Sequence, residues 1–202
     1  MNKTETEFIS SLRKAGFPDS LCESINEIRK AIFESEEELE DGRVQKLYCF
    51  SAEDFAKEMA KNGWVDAPPS NAACIEICST PGNLSHEDSI HWPWFIERNG
   101  SNILKIYFDD ITEPILNIGR RGRFARGIDM DQARQIVEFI DRNIDKDFYI
   151  HCYAGKSRSQ AVVQYILDTY GDRDWEIRPE NPPKPELVNP RVLRMLKMAS
   201  SR

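Results

Sequence analysis

Histidine is scarce in this chain, long apolar runs are missing, and basic residues are outnumbered. Only three of 202 residues are histidine, and 34 Asp and Glu outweigh 27 Lys and Arg for a formal charge of −7. An acidic balance of that size disfavours a surface built for nucleic acid, so no nucleic-acid partner is expected. No window approaches the roughly 18 consecutive apolar residues of a membrane span, and the start MNKTETEFISS has no apolar centre of a signal peptide. A cytoplasmic protein without a membrane span is therefore expected. The five cysteines are odd in number and mostly set among apolar residues, which excludes a disulfide framework and agrees with a reducing compartment. Cys74 and Cys78 stand close together, but no second cysteine pair completes a zinc site, and both read as small buried apolar side chains.

A hydrophobic fraction of 40% suffices for a real core. Residues 1–44 read as a helical extension: Phe8, Leu12 and Ala15 lie at helical spacing, Gly16-Phe17-Pro18 interrupts them, and Leu21, Ile25, Ile28, Ile32 and Phe33 resume the stripe. The acidic run from Glu34 to Asp41 reads as a solvated helix end, and any partner of these helices is unknown. Residues 45–202 read as one further domain in which strands and helices alternate. Lys46 to Phe50, Ala72 to Cys78, Ile103 to Phe108 and Phe148 to His151 have strand character. Ser51 and Asp129, the latter with Gln132 three residues on, mark helix starts, and Asn189-Pro190 begins a last helix. Residues 84–101 carry His86, His91, Trp92 and Trp94 without periodicity and read as a loop. The fold class expected is α/β: a largely parallel, mixed sheet of about four or five strands with helices on both faces.

The stretch His151-Cys152-Tyr153-Ala154-Gly155-Lys156-Ser157-Arg158-Ser159 joins the last of these strands to a helix. A tight loop between strand and helix turns backbone N–H groups and the positive helix end toward one point, a cradle for a tetrahedral anion. The same positive field favours an anionic sulfur, so Cys152 is expected to be a nucleophile. Ligands of such sheets collect at the carboxyl ends of the strands, where Asp110 falls as well.

The sequence HCYAGKSRS resembles the phosphate-binding loop of the cysteine-dependent protein tyrosine phosphatases, in their compact dual-specificity branch. The resemblance covers roughly residues 45–200 and rests on the order strand, acid loop, helix, strand, signature loop, helix. It implies hydrolysis of phosphate monoesters through a phosphocysteine on Cys152, on a phosphorylated protein or a small phosphomonoester. Arg158 would hold two phosphoryl oxygens with its planar fork of donors. Ser159 would hydrogen-bond the sulfur and ease its departure, and Tyr153, Ala154, Gly155, Lys156 and Ser157 would line the anion with backbone amides. His151 would order the loop rather than act as acid or base, and Gly155 would supply a backbone conformation closed to other residues. In this reading neither a cofactor nor a metal is required. The proton donor to the leaving group would be Asp110, with Asp109 the runner-up, since Asp129 is accounted for as a helix cap.

One departure is the length between Asp110 and Cys152. It contains Arg120, Arg121, Arg123 and Arg126, four arginines in seven residues of an acidic chain. These are expected to contact further negative charge on a substrate, with a solvated loop as the plain alternative. Lys156 points the same way, toward a phosphoinositide or another multiply phosphorylated small molecule as an alternative substrate. Two other classes stay open: a non-catalytic module that binds phosphoproteins, and a rhodanese-like sulfur transferase.

Overall fold

The computed structural model describes residues 44–64, 68–80, 100–112 and 125–201, together with residues 14 and 18. By internal contacts the chain divides into Met1–Arg43 and Val44–Arg202, and the sheet and its helices belong to the second unit. Apart from residues 14 and 18, the helices expected over 4–40 lie outside the described residues, as do His86, His91, Trp92 and Trp94.

Five strands form one sheet: β1 (Gln45–Phe50), β2 (Ala72–Cys78), β3 (Ile103–Tyr107), β4 (Asp147–His151) and β5 (Trp175–Ile177). Their order is β3-β2-β4-β1-β5, and every pair is parallel. The chain is thus α/β, and the mixed sheet allowed for by the sequence is replaced, among the described residues, by an all-parallel one. Parallel strands that are covered on both faces must be apolar throughout. Accordingly β4, at the centre, is buried at every position, and β2 at all but its last. The edge strand β5 was not expected. It is only Trp-Glu-Ile within a charged, proline-rich segment, too short to show an alternating pattern, and it exists by pairing Trp175 with Gln45 and Ile177 with Leu47.

Helices α1 (Ala52–Lys61), α2 (Met130–Arg142), α3 (Arg158–Thr169) and α4 (Pro190–Ser200) accompany the sheet, and α1, α2 and α4 start where the sequence carries caps. The Ser51 hydroxyl accepts from Asp54 N–H at 3.1 Å. Asp129 and Gln132 form the reciprocal capping box, at 2.8 and 3.0 Å. Asn189 Oδ1 accepts from the N–H groups of Arg191 and Val192, both at 3.1 Å, with Pro190 in the first turn.

Two apolar layers result. Ile136 and Ile140 of α2, Val162 and Ile166 of α3, and Val192 and Leu196 of α4 pack on Leu47, Ile75, Phe148 and Ile150. On the opposite face Phe55 and Met59 of α1 cluster with Phe50, Cys74 and Tyr149. Each such fully buried side chain contributes about 1.5–3 kcal/mol of transfer free energy. Among the described residues no helix is long and apolar enough to cross a membrane. Because the strands are parallel, their carboxyl ends share one edge. The turns after β1, β2, β3 and β4 therefore bring Ser51, Ser79 and Thr80, Asp109 and Asp110, and the 152–157 loop to that edge.

Candidate functional site

The loop after β4 is shaped by Gly155. Its φ is +66°, and a Cβ there would sit 2.5 Å from the Phe50 carbonyl carbon and 2.6 Å from both the Phe50 oxygen and the Ser51 nitrogen. Both the left-handed backbone and the close approach to the β1–α1 corner therefore require glycine. The Gly155 carbonyl is held from behind, accepting from Asn181 Nδ2 at 3.0 Å and Gln160 Nε2 at 3.3 Å, and Cys49 Sγ lies 3.6 Å from it. Tyr153 O accepts from Ala52 N–H at 3.0 Å. These bonds tie both carbonyls to the scaffold.

Cys152 opens the loop, buried at 2% exposure, with its Sγ 3.1 Å from the Ser159 hydroxyl. On the same oxygen the Cys49 thiol donates at 3.3 Å. Burial pushes the Cys49 thiol up to about 12, so it keeps its proton. A donor on one side of Ser159 Oγ leaves the hydroxyl hydrogen free to turn toward Cys152.

Arg158 begins α3 and is buried. Its Nη1 donates to Phe108 O at 2.8 Å and lies 3.5 Å from Ser79 Oγ, which ties the guanidinium to the ends of β3 and β2. Its Nε, also buried, has no hydrogen-bond partner among the described residues. Such a donor is costly to leave unpaired and is suited to an anionic oxygen.

Ser157 occupies the N-cap position of α3 but makes no side-chain cap bond. Its hydroxyl instead donates to Asp110 Oδ1 at 2.7 Å, across 47 residues of sequence. The neighbouring Asp109 turns the other way. It is buried, accepts from Thr80 N–H at 3.1 Å, Thr80 Oγ1 at 2.6 Å and Arg126 N–H at 2.7 Å, and donates its own N–H to Arg126 O at 2.7 Å. Asp109 thereby fastens the loop, and the exposed Asp110 faces the signature stretch.

His151 is buried beneath the loop, its ring centroid 4.3 Å from that of Phe55. Desolvation lowers its pKa to about 4, against a hydrogen bond with the Cys152 backbone that pulls the other way, so the imidazole is neutral. Tyr153, Ala154 and Lys156 are exposed at the mouth of the loop. Of the four arginines of the long segment, Arg126 is described: its backbone pairs with Asp109 and its side chain is exposed. Arg120, Arg121 and Arg123 lie outside the described residues.

The structure also brings in residues that the sequence did not single out. Asn181 Oδ1 accepts from Gln160 Nε2 at 3.2 Å, while its Nδ2 donates to Cys49 O at 3.3 Å as well as to Gly155 O. Asn189 Nδ2 donates to Asp110 Oδ1 at 2.6 Å and to Ile111 O at 3.3 Å. The one sequence signal here was Asn189 before Pro190, a helix cap, which says nothing of what its amide nitrogen would reach. Among the described residues no group of three His, Cys, Asp or Glu side chains could hold a metal ion. Comparison with protein-family models, with curated proteins and with solved structures finds no match to the chain.

Proposed function

We propose that the chain is a phosphomonoester hydrolase of the cysteine-dependent, dual-specificity-like kind, acting on phosphotyrosine or on phosphoserine and phosphothreonine in proteins. The observation that carries this reading is the bond from Ser157 to Asp110, which sets a carboxyl group at the rim of the loop that holds Cys152 and Arg158. A module that only binds phosphate has use for the loop and the arginine but none for an acid beside them. A sulfur transferase has no use for one either.

In the proposed reaction the Cys152 sulfur attacks phosphorus in line with the ester bond. An S–P bond forms, the P–O bond to the leaving group breaks, and Asp110 gives that oxygen its proton. Arg158 Nε and the loop amides stabilise the equatorial oxygens, where charge accumulates. Water then attacks phosphorus, returns a proton to Asp110 and releases inorganic phosphate as the S–P bond breaks. The Ser159 hydroxyl stabilises the departing sulfur. The exposed Lys156 and the Arg126 side chain beside the acid segment favour a second reading of the substrate, a small molecule with several phosphates.

The test is hydrolysis of a generic aryl phosphate by the full chain, with thiosulfate as the competing substrate. Turnover that disappears in Cys152→Ser and withstands chelators supports the hydrolase. A well-folded protein that releases no phosphate contradicts it, and sulfur transfer from thiosulfate would assign the site to the other chemistry.

A further inference from the structure

Asn189 has three separate attachments around the acid. Its Oδ1 caps α4 through Arg191 and Val192, its backbone N–H donates to Ser157 O at 3.3 Å, and its Nδ2 donates to Asp110 Oδ1 at 2.6 Å. The same Nδ2 lies 3.3 Å from Ile111 O, and Asn189 itself is 1% exposed. Since Ser157 also donates to Asp110 Oδ1, the carboxyl is gripped by two donors, one from the signature loop and one from the head of α4. Oδ1 is thereby occupied. Oδ2 is the oxygen left to carry a proton toward a leaving group.

We infer that Asn189 is the positioning residue of the proton donor. It fixes Asp110 to the signature loop from an element 79 residues away and selects which carboxyl oxygen faces the substrate. The inference rests on the phosphatase reading above. A helix cap alone needs only an acceptor oxygen, which serine or aspartate supplies as well as asparagine. The amide nitrogen has no part in the cap, and its two partners are both in the acid segment.

That separation gives the experiment. Asn189→Ser keeps an N-cap oxygen but is too short to reach Asp110, so its melting temperature should stay close to that of the wild type. Two esters are compared, phenyl phosphate, whose leaving group needs a proton, and a difluorinated umbelliferyl phosphate, whose leaving group does not. General acids typically contribute about 10²–10⁴-fold. A misplaced acid should therefore cost about tenfold or more in kcat on phenyl phosphate and less than about threefold on the activated ester. Asp110→Asn should show the same selectivity, and adding Asn189→Ser to it should cost nothing more, because the two act as one unit.

Equal losses on the two esters in a folded Asn189→Ser, or additive losses in the double variant, would overturn the inference and leave the phosphatase reading standing. An Asp110→Asn variant without leaving-group dependence would overturn the inference and also remove Asp110 as the acid on which the phosphatase reading was argued. A wild type that turns over neither ester would remove the reading itself, and the inference with it.

Discussion

The Ser157 hydroxyl stands where a helix cap belongs and donates at 2.7 Å to Asp110 instead. Two consequences are expected of Ser157→Ala. Helix caps typically contribute about 1 kcal/mol, and no side-chain cap is made here, so stability in urea should change by less than that. Turnover of an unactivated aryl phosphate should nevertheless fall by about tenfold, a part of what a general acid supplies. Urea midpoints and kcat on the same preparation check both. A large stability loss with intact turnover would mean that the hydroxyl serves the helix and not the acid.

Gly155 is expected to admit no side chain. Alanine there would adopt a left-handed backbone at about 1–2 kcal/mol. It would also press a methyl carbon to 2.5 Å from the Phe50 carbonyl carbon. Overpacking of this kind costs roughly a further 1–3 kcal/mol. Gly155→Ala should thus lower the unfolding free energy by about 2–5 kcal/mol or displace the loop from β1. Inorganic phosphate, used as a probe of the cradle, should bind more weakly. Chemical denaturation and calorimetric titration report the two effects separately.

Beneath the loop, two buried titratable groups oppose each other in their response to pH. Burial raises Glu76 to about 7, against the Lys105 ammonium at 3.9 Å, so its carboxyl takes up a proton on folding over the range between its ordinary value and about 7. Its contribution is complete below about pH 4.5 and is lost as pH rises through about 7. His151, lowered to about 4, has the reverse sign: its contribution is complete above about pH 6.5 and is lost as pH falls toward 4. The two partly cancel in the shared window. Glu76→Gln removes one of them, so the variant should gain on the wild type as pH rises from about 5 to 8, by up to roughly 3 kcal/mol. It should also show the acid-side loss caused by His151 more sharply. Urea midpoints across that range test the sign, and a Glu76→Gln difference independent of pH would show that Glu76 does not titrate on folding.

Much of this arrangement was legible in the sequence because it is local. Caps at Ser51, Asp129 and Asn189 are short-range patterns, and four of the five strands carry enough apolar residues to declare themselves. The strand-loop-helix around Cys152 is likewise contiguous. The fifth strand was hidden because three residues form it only against β1. Asp109 and Asp110 could be ranked but not separated by sequence, since which of two neighbours turns inward depends on Thr80 and Arg126, far along the chain. Asn181 and Gln160 were invisible for the same reason: their bonds to each other and to Gly155 O exist only once β5 has brought the following segment behind the loop.

The central claim is that Cys152 carries the phosphoryl group between two half-reactions. Mixing the protein with an aryl phosphate, quenching in acid within the first turnover and mapping the peptides by mass tests it directly. The account predicts one added phosphoryl group on the peptide holding Cys152, absent in Cys152→Ser and longer-lived in Ser159→Ala. Steady turnover with no phosphoryl group on Cys152 at any quench time would contradict it.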